Sequence, residues 1–169
     1  MLILFITGCQ DRNTMNGPLY PGRPLNIGVI GDAPDVRETT VTFMPLTLNE
    51  LEKNSDKLAR QFDAVFITKD YFREASEQKY KEAYKKSGIP ILFIKLDKLV
   101  FGYGDNKLTY DEMPNVLRNT LAGGIYYAPG TKEVTQWEFG LYNDVENETN
   151  VKTTYSTIFK TIEQKRIGD

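Results

Sequence analysis

Histidine is absent from this 169-residue chain, and cysteine occurs once, as Cys9. These two scarcities remove Ser-His-Asp and Cys-His nucleophilic pairs, imidazole acid–base chemistry, and zinc sites built from Cys and His. Any catalysis would have to use Asp, Glu, Lys, Tyr, Ser or Thr. The metal chemistry left open is Mg²⁺ or Ca²⁺ on carboxylates. No apolar run approaches the ~20 residues that cross a bilayer as a helix. The net charge is −2, with no concentrated basic stretch, which argues against binding a nucleic-acid backbone. Gly28 and Gly31 do not complete a G-x-G-x-x-G fingerprint and no P-loop occurs, so neither standard nucleotide cradle is present. Gly102-Tyr103-Gly104 supplies half of such a fingerprint but falls where a turn is expected.

What is present is an ordinary globular composition, 40% hydrophobic and 26% charged. A chain this long can bury a core in one domain without disulfides. Residues 25–30 (LNIGVI) form an apolar run ended by Gly31-Asp32-Ala33-Pro34, which predicts a buried strand and a loop. Residues 40–46 (TVTFMPL) predict a second strand with Pro45 at its exit. Thr47 and Glu50 have capping-box spacing, and Leu51, Ser55, Leu58 and Phe62 continue one helical face. After a third strand at 63–68 (DAVFIT), Asp70 is suited to cap a helix carrying Phe72, Ala75, Tyr80, Ala83 and Tyr84. Lys85 and Lys86 sit in its last turn and Gly88 just beyond, where a left-handed residue closes helices. Residues 89–96 (IPILFIKL) follow as a strand.

Continuous apolar strands alternating with amphipathic helices predict an α/β domain. The expected sheet is mostly parallel, of about five to six strands, with helices on both faces in a Rossmann-like or flavodoxin-like three-layer arrangement. In the second half, residues 99–103 and 107–110 flank Gly104-Asp105-Asn106 as an expected hairpin. Residues 111–121 predict a helix with Pro114 in its first turn. Strands are expected at 124–128 and 134–142 around Pro129-Gly130, and a closing helix from about residue 150 puts Val151, Tyr155, Ile158 and Ile162 on one face.

Ile6-Thr7-Gly8-Cys9 resembles the lipobox of bacterial lipoproteins: an aliphatic residue, a small or β-branched one, Gly or Ala, then Cys. Residues 1–6 are apolar, as an h-region should be. Residues 10–24 (QDRNTMNGPLYPGRP) have the polar, Pro- and Gly-containing character of a tether. No Lys or Arg precedes Cys9, so this reading expects the basic n-region upstream of Met1. The resemblance implies a signal-peptide remnant at 1–8, a diacylglycerol thioether on Cys9, a lipid-anchored tether over 9–24 and a single α/β domain at 25–169. It places that domain on the extracytoplasmic face of a bacterial cell membrane. Two acyl chains provide stable anchoring without a transmembrane helix. The competing reading makes LILFIT a buried strand and Cys9 a small core residue.

Ligands of open α/β sheets sit outside the carboxyl ends of the strands. Three expected strand ends carry an acid: Asp32, Asp70 and Asp97. Converging, these could hold a divalent cation or the hydroxyls of a sugar, although the ordinary use of such residues is to cap helices and turns. Lys69 could add a charge for an anionic group. Tyr103 and Trp137 are aromatic candidates for stacking on a ligand, with core packing as the competing use. Alternation in VTQWEFGLY puts Trp137, Phe139 and Leu141 on one face of a half-buried strand. Asn147-Glu148-Thr149 fits a glycosylation sequon but reads as a polar loop before the last helix. No cofactor is expected. The functional expectation is a non-catalytic envelope domain that binds a partner protein or polymer. The alternatives are a small-ligand-binding lipoprotein associated with transport and a carboxylate- or metal-dependent envelope hydrolase.

Overall fold

The computed structural model describes residues 12–104, 107–131 and 133–167. Cys9, and with it the lipobox expectation, lies outside them. The strands are β1 (Leu25–Ile30), β2 (Val41–Pro45), β3 (Ala64–Thr68), β4 (Ile91–Ile94), β5 (Thr120–Tyr127) and β6 (Val134–Gly140). They form one six-stranded sheet in the order β2-β1-β3-β4-β5-β6. The first four are mutually parallel, while β5 runs antiparallel to β4 and β6 antiparallel to β5. The helices are α1 (Leu48–Lys53), α2 (Phe72–Ala75), α3 (Gln78–Ser87) and α4 (Glu148–Ile167). The α/β class is therefore as expected, and the antiparallel β5–β6 hairpin turns at Pro129 and Gly130 as the spacing predicts. No described helix is long and apolar enough to cross a membrane.

Alternate strand residues feed two separate apolar clusters, because successive side chains point to opposite sides of a sheet. Ile30, Val65, Ile67, Ile91 and Phe93 pack with Leu48 and Leu51 of α1 and Tyr80, Ala83 and Tyr84 of α3. Ile27, Val29, Ala64, Phe66 and Leu92 pack with Tyr155, Ile158, Phe159 and Ile162 of α4. The rings of Phe66 and Phe159 lie nearly parallel, 3° apart with centroids at 6.4 Å. Burying a Phe side chain fully is worth roughly 1.5–3 kcal/mol, so this pair is a main fastening between α4 and the sheet.

The Thr47–Glu50 capping box forms: Glu50 N–H donates to Thr47 Oγ1 at 3.2 Å and Thr47 N–H to Glu50 Oε2 at 2.9 Å. The helix it starts is shorter than its apolar face. After Asn54 the chain tightens into a 3₁₀ turn, Ser55–Arg60, which still buries Ser55 and Leu58. The expected helix from Asp70 is likewise divided, into a 3₁₀ turn (Lys69–Tyr71), α2 and α3, with Glu77 extended between the last two. Gly88 closes α3 at φ 62°.

Two expectations of the second half are corrected. The described flanks of the expected hairpin, residues 99–103 and 107–110, form no strands: Val100–Tyr103 is a 3₁₀ turn that drives Val100 and Tyr103 into the core. Tyr103 stacks on Phe93 with centroids at 3.9 Å, and that contact outweighs strand alternation. The helix expected over 111–121 is also absent. Tyr110–Glu112 makes one 3₁₀ turn, Asn115 bridges antiparallel to Lys98, and β5 begins at Thr120. Met113 is buried but Leu117, one helical turn on, is 96% exposed, so this segment has no continuous apolar stripe to hold a helix against the core.

The segment expected as a free tether is a strap. Residues 13–24 run beside α4, with Tyr20 buried in the core and its ring 6.1 Å from that of Phe159. Asn150 and Thr153 of α4 bond to its backbone at Met15, Asn13 and Gly17. A polar, Gly- and Pro-containing composition predicts an unpacked chain. Here the backbone is satisfied by α4 side chains instead.

Candidate functional site

Strand order decides where a ligand can enter. From β1 the chain leaves to β2 on one side, and from β2 it crosses to β3 on the other, so the connections diverge between β1 and β3. A cleft forms at such a reversal, at the carboxyl ends of the strands. A cleft of about 660 Å³ lies there, lined by Asp32, Ala33, Pro34 and Asp35 after β1, by Thr68, Lys69 and Asp70 after β3, by Ile94 and Lys95 after β4, and by residues 146–155 leading into α4. A second cavity of about 440 Å³ shares Lys69, Lys95 and Glu146 with it and extends to Asp97, Arg118 and Asn119.

The floor is shaped by a close approach. Gly31 has φ 105°, and a Cβ there would lie 1.9 Å from Thr68 Oγ1. Thr68 Oγ1 in turn donates to the carbonyl of Ile30 at 3.2 Å. A side chain at residue 31 would push the β1 and β3 loops apart. On the other wall Asn147 caps α4, accepting from the N–H of Asn150 at 2.8 Å.

Some charges here are internally paired. Lys152 reaches Asp35 and Glu148, both at 2.8 Å, which raises its pKa through those hydrogen bonds. Lys69 lies 3.5 Å from Asp97. Tyr110 donates to Asp97 Oδ2 at 2.7 Å, and burial followed by that carboxylate pushes the phenol up to about 12. Asp97 Oδ1 is buried with no hydrogen-bond partner among the described residues. Asp32, Asp70 and Lys95 are different: no ion pair holds them among the described residues. Lys95 is exposed and stands at φ 60°, with its N–H bonded to the carbonyl of Leu121 at 2.6 Å. A left-handed backbone costs an ordinary residue about 1 kcal/mol. Here the start of β5 holds it in place.

The structure brings Asp32 and Asp70 to one cleft and puts Asp97 in the adjoining cavity across Lys69. Asp70 does not occupy a cap position: it lies inside the 3₁₀ turn Lys69–Tyr71, whose N-cap is Thr68, and the N-caps of α2 and α3 are Tyr71 and Glu77. Tyr103 is fully buried in the core and cannot stack on a ligand in the cleft. Trp137 is half-buried on β6, with Lys165 Nζ 5.6 Å from its ring, and lies away from the cleft. Sequence reasoning missed Lys95, Asp35, Lys152 and the α4 wall. For Lys95 the usable signal was the strand end itself, since KLD after an apolar run places Lys95 at the same level as Asp32 and Asp70. Nothing local in the sequence brings residues 146–155 beside β1 and β3. Among the described residues no three Asp, Glu, Cys or His side chains are grouped to hold a metal ion.

No protein-family model, curated protein or solved structure matches this chain.

Proposed function

We propose that the chain is a lipoprotein, held by Cys9 on the extracytoplasmic face of a bacterial membrane, whose α/β domain binds a small polar ligand without transforming it. The carrying observation is that, among the described residues, no ion pair holds Asp32, Asp70 or Lys95 in the cleft at the strand reversal. Two carboxylates accept from hydroxyl or ammonium groups and Lys95 donates to an acceptor, a combination suited to a hydroxyl-rich or zwitterionic ligand. The flavodoxin-like three-layer reading supports this location: the strand order β2-β1-β3-β4 and the two apolar clusters fit it. A metal-dependent hydrolase has less support, because the three expected carboxylates divide between two cavities.

Ligand binding is tested on the full chain carrying Cys9→Ala, by thermal shift and calorimetry against panels of sugars, free amino acids and polyamines. Saturable binding lost in Asp32→Asn and Lys95→Ala is the expected result. Binding that survives both substitutions overturns the cleft as the site. Anchoring is tested separately by feeding a labelled fatty acid to a bacterial host. Wild-type chain should take up label and sediment with membranes, and Cys9→Ala should do neither. An unlabelled wild type overturns the anchor.

A further inference from the structure

We infer that the carboxyl edge of the sheet, the edge bearing the cleft, lies against the phospholipid surface. The inference rests on Cys9 being the lipid anchor, and it goes further by fixing which way the domain faces.

The strap supplies the geometry. Asn143 Nδ2 donates to the carbonyl of Arg12 at 2.8 Å, and Asn150 Nδ2 donates to that of Asn13 at 2.8 Å. Asn150 is 1% exposed and also accepts from the N–H of Met15 at 2.8 Å, so it grips the strap from both sides. Further along, Thr153 holds Met15 and Gly17, and Glu163 accepts from the N–H of Arg23 at 3.1 Å. The strap thus follows α4 from its first turn toward its last, and its upstream end is fastened at the start of α4. That start, like the loop holding Asn143, stands at the carboxyl edge, because β6 runs parallel to β4 and ends there.

Only two residues, Gln10 and Asp11, separate Cys9 from Arg12, three Cα-to-Cα steps in all. Fully extended they reach roughly 11 Å. A free tether of the sixteen residues from Cys9 to Pro24 would instead wander over roughly 20 Å and impose no orientation. A docked strap converts a loose tether into a short leash attached at one edge.

The same edge carries an independent mark. Among the described residues, four of the seven exposed large apolar side chains, Met15, Tyr71, Leu117 and Tyr142, belong to segments at this edge. Leu117, 96% exposed, is the extreme case. Tyr suits the headgroup level of a bilayer and Leu its apolar boundary. Charges at this edge are mixed: Lys69, Lys95 and Arg118 stand among Asp32, Asp70, Asp97 and Glu146. Apposition therefore does not call for anionic lipid. The cleft then opens within headgroup reach, and its ligand is met at the membrane rather than in bulk solvent.

The test uses the full lipidated chain in phosphatidylcholine vesicles. With Cys9 acylated, Leu117→Cys provides the sole free thiol for an environment-sensitive fluorophore, and Thr131→Cys provides the same label at the opposite edge. Headgroup spin-labelled lipid should quench the probe at residue 117 severalfold more than the probe at 131. Inserting a fifteen-residue Gly/Ser segment between Cys9 and Arg12 leaves the body untouched and should abolish that difference while the chain stays bound to vesicles. Equal quenching of the two probes on a chain shown by mass spectrometry to carry the diacylglycerol group overturns the orientation alone. Absence of the lipid on wild-type chain overturns the anchor and the orientation with it.

Discussion

The two edges of the sheet solve the same backbone problem differently. At the amino edge, the left-handed positions are filled by glycines, Gly88 at φ 62° before β4 and Gly130 at φ 71° in the β5–β6 turn. At the carboxyl edge Gly31 at φ 105° is one such position, but three others carry side chains: Lys95 at φ 60°, Asn143 at φ 50° and Asp144 at φ 56°. Glycine is the low-strain choice at such positions. Asn and Asp tolerate them, but a lysine has no local means of doing so. The charges divide the same way. Asp63, 4% exposed at the amino edge, accepts from Arg23 and from the N–H of Asn26, both at 2.8 Å. Asp32, Asp70 and Lys95 at the carboxyl edge have no such ion pairs among the described residues. One edge is built to close the structure; the other holds Lys95 in strained backbone and leaves it, with Asp32 and Asp70, available to something outside. Strain of that kind collects where function constrains the chain.

If this contrast is right, the largest loss of stability comes from the amino edge. Asp63→Ala removes a buried carboxylate that accepts from the Asn26 N–H and the Arg23 guanidinium, and should cost about 1–3 kcal/mol. Arg23 is partly exposed, so the ionic share is modest. Urea unfolding at pH 7 measures it, and a loss no larger than that of an exposed Asp would erase the contrast.

The next effect depends on pH. Burial first, and then Glu163, pushes the Tyr20 phenol up from 10.0 to about 12. A group whose folded pKa is raised contributes stability that is complete below its unfolded pKa and disappears as pH climbs through the folded one. The strap should therefore weaken between pH 10 and about 12. Tyr84, Tyr103 and Tyr155 are raised too, mainly by burial, so the whole domain softens in alkali. Tyr20→Phe should lose stability less steeply than wild type across that window. Identical slopes would show that the strap does not sense the phenol.

Legibility follows the same division. From β1 to β4 the strands follow their continuous apolar runs and the helices start on apolar stripes, although these break into 3₁₀ turns, and the capping box at Thr47 and Glu50 forms as spaced. The strap and the 99–119 segment take their structure from distant partners. Tyr20 packs on Phe159, Tyr103 stacks on Phe93, and Asn13 is held by Asn150. No periodicity encodes such contacts. Of the site, Asp32, Asp70 and Asp97 were legible because strand ends are. The α4 wall was not, because a helix more than a hundred residues away completes the cleft.

A smaller effect has the opposite sign. Lys95→Gly removes left-handed strain while adding backbone entropy to the unfolded chain. The strain is about 1 kcal/mol and the entropic penalty somewhat less, so a small gain in melting temperature is expected, together with weaker ligand binding. Lys95→Ala keeps the strain and loses only the ammonium. If Gly destabilises as much as Ala, the left-handed backbone at residue 95 is not strained and the contrast loses its best example.

The smallest effect separates two uses of one acid. Asp70 sits where a helix cap is expected, and a working cap lost to Ala costs about 1 kcal/mol. It falls instead inside the 3₁₀ turn, whose N-cap is Thr68, whereas Thr47 is the N-cap of α1 and makes the cap bond. Thr47→Ala should therefore show the full cap penalty in urea unfolding, while Asp70→Ala should stay within about 0.5 kcal/mol of wild type. A penalty at Asp70 equal to that at Thr47 would return it to the ordinary role of such residues and leave Asp32 and Lys95 to carry the cleft. A neutral Asp70→Ala that also abolishes ligand binding would show a carboxylate kept for what enters the cleft rather than for the fold around it.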